Sequence, residues 1–326
     1  MIYNQWYPVL ESNEVKKGHL VAATRFGEKL VFWRKNEGEV ACSEDKCAHR
    51  GVALSAGKVI GDRIQCPFHG LEYDSTGQCQ LIPANGRKQP VPPQFLVKTY
   101  LTREDHGFIY VWYGDPQAEY PPLPFFEELK GFKYKTYKDH WTVHYSRAIE
   151  NQLDVVHLPF VHYNTIGKGN KMLVDGPKAK LVNDEIQVWV YNKKDDGSIP
   201  LKPDEIAEPD FDALVKFKFP NIWRLAPIPK MNVFIAFVPM DEENTLMYMR
   251  FYQNILKIPG LSHLINAIGV FYSKKILRQD KRVVITQQPK KSSYKMGENL
   301  IQGDFPIILY RRRRQELIDL NPLNTA

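Results

Sequence analysis

Chemistry in this chain is concentrated in three short stretches. Cys47-Ala48-His49-Arg50-Gly51 and Cys66-Pro67-Phe68-His69-Gly70 each offer one thiol and one imidazole, and together they spell C-x-H, sixteen residues, then C-x2-H. Two thiolates and two imidazoles brought by two loops satisfy two kinds of metal centre. One is a tetrahedral zinc, whose knuckles also use short paired spacings. The other is a [2Fe–2S] cluster in which two histidines replace two cysteines on one iron. With one Cys and one His per loop, one iron can take both thiolates and the other both imidazoles; a zinc finger more often pairs Cys with Cys and His with His. Gly51 and Gly70 follow the histidines and permit tight turns around a cluster.

The third stretch, Glu150 to His162, reads ENQLDVVHLPFVH and holds Asn151, Asp154, His157 and His162. Two neutral imidazoles and one further carboxylate make an iron site. Histidines five positions apart diverge on an undisturbed helix, where same-face neighbours are three or four apart. Pro159 is therefore expected to disrupt the helix between them and let both turn toward one ion. Asp154 and His157 are expected to share a face, so that the carboxylate orients the imidazole. Alone, H-x4-H reads more plainly as a buried helix with two satisfied histidines, and the two upstream loops are what weigh against that.

A candidate third ligand lies far downstream. Leu264, Ile268, Tyr272, Ile276 and Asp280 recur every four residues in a long helix expected to start near Pro259-Gly260, which sets Asp280 in line with a buried face. An unpaired buried charge is expensive. Arg278, Lys281 and Arg282 leave the helix on other faces, so a metal is the better partner.

The elements that must hold these residues fall into two groups. Up to about residue 113 the chain reads as short strands between turns, among them Leu30–Trp33, Glu39–Cys42 and Phe108–Trp112. Pro121-Pro122-Leu123-Pro124 cannot be a central strand or a helix interior, and a boundary there gives domains 1–120 and 121–326. Beyond it come strand-like Lys133–Tyr137 and Trp141–Ser146, then the helix with its histidine pair. Ile186–Tyr191, Leu214–Phe219, Val233–Val238 and Leu246–Phe251 follow as strands of one antiparallel sheet, with Lys193 to Asp212 a surface excursion. Asp304-Phe305-Pro306 starts a last helix. Its Arg311 to Arg314 read as a solvated face or as a docking patch for an acidic partner. Nucleic acid fits poorly, because successive arginines point all around a helix.

Composition is that of an ordinary globular protein: 326 residues suit two domains, with 43% hydrophobic, 25% charged and a net charge of +7. No apolar run is long enough to span a membrane, and MIYNQWYPVL has no secretory pattern. Four cysteines, two of them in metal-type spacing, do not suggest a disulfide framework, so a cytoplasmic, reducing location is expected. Cys42 and Cys79 lie outside both loops and read as small buried apolar residues.

The paired C-x-H and C-x2-H loops in a β setting resemble a Rieske iron–sulfur domain. Respiratory Rieske proteins carry an extra cysteine in each loop; here Phe68 and the run Arg50–Ala53 stand there, which implies the low-potential oxygenase type. Adding N-x2-D-x2-H-x4-H and the late Q-D-x3-V, the whole chain resembles the oxygenase component of Rieske non-heme iron oxygenases. The resemblance implies an α+β fold: an N-terminal all-β [2Fe–2S] domain bound through Cys47, His49, Cys66 and His69, then a helix-grip catalytic domain. It implies mononuclear Fe(II) on His157, His162 and Asp280, with Asn151 and Glu150 close by but not ligands. In the family a carboxylate links cluster and iron between subunits, so His69 of one protomer would reach Asp154 and His157 of the next in a homotrimer.

The chain's length is similar to that of single-component members that hydroxylate or oxidatively demethylate small organic, hydrophobic substrates with dioxygen. No Gly-rich dinucleotide fingerprint is present, so electrons are expected from a separate ferredoxin or reductase, with NAD(P)H only indirectly involved. Phe160, Tyr163, Trp223, Phe234 and Phe237 are candidate pocket residues, with a core role the plainer reading for most. Leu71 stands where many members have Trp. The competing readings are a Rieske-type electron-transfer protein with a non-catalytic ligand-binding second domain, and a zinc-structured binding module.

Overall fold

Leu30 to Trp33 and Phe108 to Val111 are wholly inaccessible. Continuous apolar runs of this kind suit strands covered on both faces. In the computed structural model, which describes residues 1–320 other than 257 and 259, they lie in the strands Glu28–Arg34 and Phe108–Tyr113.

The first compact unit is Asn4–Leu123. It contains one three-stranded and two four-stranded antiparallel sheets. The Cys47 loop follows the strand Val40–Glu44, and the Cys66 loop joins Arg63–Gln65 to Glu72–Tyr73. The split from the second unit falls inside the proline run, between Leu123 and Pro124.

The second unit runs from Pro124 onward and takes in Met1–Tyr3. Ile2 is 1% exposed in its core, a placement the proline boundary alone does not reveal. Its seven-stranded antiparallel sheet has the order Lys133–Trp141, Thr245–Gln253, Met231–Pro239, Ile222–Ile228, Val215–Lys218, Glu185–Lys193, Leu173–Val182. The first strand in sequence thus pairs with the last and closes one edge. The four strands expected from alternation are all in this sheet, and residues 194–214 carry neither strand nor helix. Trp141–Ser146 does not continue as a strand: Trp141 ends one and Tyr145 begins a helix.

Among the described residues four α-helices complete this unit: α1 (Tyr145–Leu153), α2 (Leu158–Val161), α3 (Leu261–Val284) and α4 (Phe305–Asp319). The α3 helix opens after Gly260; Pro259, also expected at its start, lies outside the described residues. α3 lies on the strands Lys133–Trp141 and Thr245–Gln253, with α1 against both α3 and α4.

Three local expectations are corrected. Pro159 does not break a helix: it sits in the first turn of α2, where its missing N–H is not needed, and the chain instead departs from helix at Asp154. The row Leu264, Ile268, Tyr272 is not buried but 58%, 60% and 46% exposed. Each four-residue step overshoots the helical repeat by about 40°, so the row winds from solvent to the interior by Asp280. Finally, Arg311 and Arg314 are neither solvated nor a docking patch, each being 4% exposed. Arg311 bonds Glu150 and Glu298, and Arg314 bonds the Ser292 carbonyl and faces the Tyr145 ring, which locks α4 onto α1.

Candidate functional site

The two Cys/His loops share one backbone pattern. Cys47 N–H donates to the Val52 carbonyl and Gly51 N–H to Cys47 O; Cys66 N–H donates to Leu71 O and Gly70 N–H to Cys66 O. Gly51 and Gly70 have φ of 72° and 74°, the left-handed region that closes each turn without a Cβ penalty. The side chains sort by element. The sulfurs of Cys47 and Cys66 are buried neighbours, while Nδ1 of His49 and Nδ1 of His69 stand 3.2 Å apart on the exposed side.

Burial raises the Cys66 thiol, and the Phe68 and His69 backbone amides act against that. The Tyr73 hydroxyl lies 3.2 Å from Cys47 Sγ; burial and that sulfur raise its phenol, which keeps the O–H as a donor. A thiol pair and an imidazole pair on opposite sides fit a [2Fe–2S] cluster with one all-sulfur iron and one histidine iron. A single tetrahedral zinc needs all four donors around one point.

In the second unit α2 is one helical turn, with His157 at its N-terminal cap and His162 at its C-terminal cap. His162 has left helical geometry, with φ −109° and ψ 22°, and both imidazoles point to the same side. Their Nε2 atoms are 3.2 Å apart, and Asp280 Oδ1 from α3 lies 3.4 Å from His157 Nε2 and 2.9 Å from His162 Nε2. Six-coordinate ligands standing about 2.1 Å from an ion at right angles are about 3.0 Å from each other. The three atoms thus form one face of an octahedron, and the residues fit a mononuclear iron.

Electrostatics agree with a cation between them. Burial presses the His157 imidazole down, but the Asp154 and Asp280 carboxylates outweigh it and hold the group up at about 9. Burial likewise lifts Asp280, yet the two imidazoles keep it below the usual carboxylate range. Asp154 does not share a helix face with His157. It ends α1 in extended geometry, and its Oδ1 accepts from the Val156 and His157 amides. Its Oδ2 then stands 3.6 Å from His157 Nδ1, which has no hydrogen-bond partner.

Two residues that local spacing does not single out complete the site. Gln279 Oε1 is 3.0 Å from His162 Nδ1 and accepts from Thr165 Oγ1, while its amide nitrogen donates to Asn164. An amide oxygen cannot donate, so Nδ1 carries the ring proton and Nε2 offers its lone pair beside Asp280. Gln152 Nε2 holds Asn151 Oδ1 at 2.8 Å and approaches Asp280 Oδ2 at 3.4 Å. Asn151 itself is within 3.5 Å of Asp280 Oδ1, and Glu150 is taken up by Arg147 and Arg311. The sequence signal for Gln279 was its position next to a candidate ligand.

Residues 5–101 match the Rieske [2Fe-2S] domain. Residues 141–320, more than half the chain, match the vanillate O-demethylase oxygenase C-terminal domain. The chain belongs to the Rieske non-heme iron oxygenases. Among relatives, chlorophyllide a oxygenase of Chlamydomonas reinhardtii is 35% identical over 51% of this chain and 25% of that protein. Methylxanthine N1-demethylase NdmA of Pseudomonas putida is 25% identical over 96% of this chain and 88% of its own length. The NdmA structure matches with a TM-score of 0.78 at 22% identity, covering 97% of this chain and 90% of NdmA. Dicamba monooxygenase bound to dicamba matches at 0.73 and 18%, covering 98% of both chains, and both likenesses speak to the fold. The chain spans only 20–48% of the length of the first curated relatives it matches.

In this Rieske oxygenase the triad opens onto a cavity of about 580 Å³ between the sheet and α3. Of the candidate pocket aromatics Trp223 lines it, with Nε1 bonded to the Gln152 carbonyl. Phe234 and Phe237 are core residues with no exposure, whereas Phe160 and Tyr163 are 60% and 65% exposed. Gly269 lets α3 approach closely, since a Cβ there would stand 2.4 Å from the Phe251 ring. Among the described residues no helix is long and apolar enough to cross a membrane.

Proposed function

We propose that the chain is a terminal oxygenase that uses dioxygen to hydroxylate or oxidatively demethylate a small hydrophobic organic substrate. One observation carries this reading: three ligand atoms at octahedral-edge spacing on the wall of a large apolar cavity. Cys47 and Cys66 would hold one cluster iron, His49 and His69 the other, and His157, His162 and Asp280 the mononuclear Fe(II). Asn4–Leu123 is then the electron-receiving unit, and Met1–Tyr3 with the chain from Pro124 onward the catalytic one.

Iron held there supplies reductive activation of dioxygen: with two electrons and two protons, one oxygen atom enters a C–H bond and the other leaves as water. A methyl carbon hydroxylated on O or N is then lost as formaldehyde. The protein's own residues set the conditions. Gln279 fixes the His162 tautomer, Gln152 steadies the second Asp280 oxygen, and the carbon walls keep water from the substrate while setting one C–H beside the triad.

Electrons would come from a separate ferredoxin or flavin reductase, with NAD(P)H the distant donor. The exposed His49 and His69 edge is the natural exit. In a homotrimer closed head to tail, His69 of a neighbouring copy would meet Asp154 and, through it, His157. Cys42 and Cys79, free thiols outside the two cluster loops, agree with a cytoplasmic setting.

The test is iron, acid-labile sulfide and zinc per chain after anaerobic purification, followed by turnover with a surrogate reductase. About three irons and two sulfides are expected. Two irons that added Fe(II) does not raise would favour the electron carrier with a non-catalytic second domain, and zinc without sulfide would end the oxygenase reading.

A further inference from the structure

We infer that the substrate is an uncharged, mainly apolar molecule of roughly 20 to 25 non-hydrogen atoms. The inference rests on the oxygenase reading and narrows its substrate class. Size follows from volume. A cavity of about 150 Å³ lined by aliphatic side chains holds one benzene, or about 25 Å³ per atom. On that scale the 580 Å³ here takes about 23 atoms.

Charge follows from the wall. Its body is carbon: Leu225, Val233, Ile235, Met249, Phe251 and Ile265 stand for the rest. No lysine or arginine is among the described residues that line it. Both carboxylates on the wall, Asp154 and Asp280, are acidic. The basic side chains of α3 are turned elsewhere. Lys274, Lys275, Arg278 and Arg282 line a separate surface hollow, and Lys281 is paired with Asp139 at 2.9 Å.

A carboxylate or sulfonate brought into this space would lose its water and find no lysine or arginine, and the two charges of an Fe(II) held there would already be balanced by Asp154 and Asp280. A cationic substrate is opposed too, since it would be desolvated in carbon and Asp280 is already shared by His157 and His162. The polar anchors left are weak and neutral: the Ser273 and Tyr272 hydroxyls and the Asn151 and Gln152 amides. Tyr272 and Ile268 are 46% and 60% exposed while lining the same cavity, so they mark its mouth on α3. One or two uncharged oxygen or nitrogen functions therefore suit the site, and a formal charge does not.

Equilibrium dialysis of the iron- and cluster-loaded protein, kept anaerobic so that nothing turns over, tests this with 1-pyrenebutanol against 1-pyrenebutyrate at pH 8. The alcohol should bind one per chain and at least tenfold more tightly than the carboxylate. Val233→Trp, which fills the cavity, and Ile268→Trp, which narrows its mouth without loading the core, should each weaken the alcohol tenfold or more. Val233→Lys should shift preference toward the carboxylate. Equal or tighter carboxylate binding by the native protein overturns the inference, as does alcohol binding untouched by both tryptophan variants. Binding is read without turnover, so a failure of oxygenation would leave this result standing, and a failure here would leave the oxygenase reading standing.

Discussion

His162 is held from both sides of its ring by consecutive residues of α3: Gln279 Oε1 stands 3.0 Å from Nδ1 and Asp280 Oδ1 2.9 Å from Nε2. One turn of helix therefore sets both the orientation of a candidate ligand and the carboxylate beside it. Gln279→Leu should lower Fe(II) affinity about 10- to 100-fold, the usual effect of losing a partner that orients a ligand. Gln279→Glu keeps an acceptor oxygen and should retain the metal. Chelator competition reads the affinity, and the cluster's visible spectrum should not change in either variant. Equal affinity in the leucine variant and the native protein would remove Gln279 from the site.

Asp154 makes a different contact, since its Oδ1 closes a turn with two amides while Oδ2 faces His157. Asp154→Asn keeps an amide oxygen for the turn and loses only the charge. Both metal centres should stay loaded while turnover falls at least a hundredfold, about 2.7 kcal/mol in the barrier. Rapid mixing of the reduced protein with substrate and dioxygen should show slowed cluster oxidation. Native-like rates would disprove the inter-subunit path through this carboxylate.

The Tyr73 hydroxyl stands 3.2 Å from Cys47 Sγ and, donating to that sulfur, would stabilise the more negative, reduced state of a cluster bound there. Tyr73→Phe should lower the reduction potential by tens of millivolts, given about 1 kcal/mol for such a bond. Redox titration followed by the cluster's optical signal checks it. An unchanged or higher potential would mean that the hydroxyl does not donate.

His144 caps α1, its Nδ1 accepting from Ser146 N, and it is 1% exposed. Burial first, then the positive charges of Arg314, Lys291 and the Met1 amino group, hold its imidazole down at about 2. The unfolded chain binds a proton near pH 6.5 that the folded one refuses, so this stability is present above pH 6.5 and is lost as pH falls below it. His144→Asn keeps a capping acceptor and does not titrate. Its disadvantage relative to the native protein should therefore shrink by about 1.4 kcal/mol per pH unit between pH 6 and 5. Urea unfolding of both proteins measures it, and a gap independent of pH would refute the assignment.

Chemistry carried by neighbours in sequence was legible without coordinates. A C-x-H or C-x2-H loop needs only a tight turn to present both ligands, and His157 and His162 need only the short α2 and the departure from helical geometry at His162, so local geometry confines the outcome. Five of the seven strands of the sheet could be read for the same reason, because alternation and unbroken apolar runs are local consequences of burial, whereas Leu173–Val182 and Ile222–Ile228 were not singled out. What tertiary packing decided lies where distant residues compete for one site. Asp280 was anticipated from a row of residues that winds to the surface, and it is buried because α3 turns Leu277 and Val284 inward with it. Gln279, Gln152 and the apolar cavity depend on how α3 crosses the sheet. Arg311 to Arg314 look like a solvent-facing charge run until α4 docks. Two of the four are then turned inward against Glu150, Glu298, Ser292 and Tyr145, groups up to 169 positions away that no spacing rule connects.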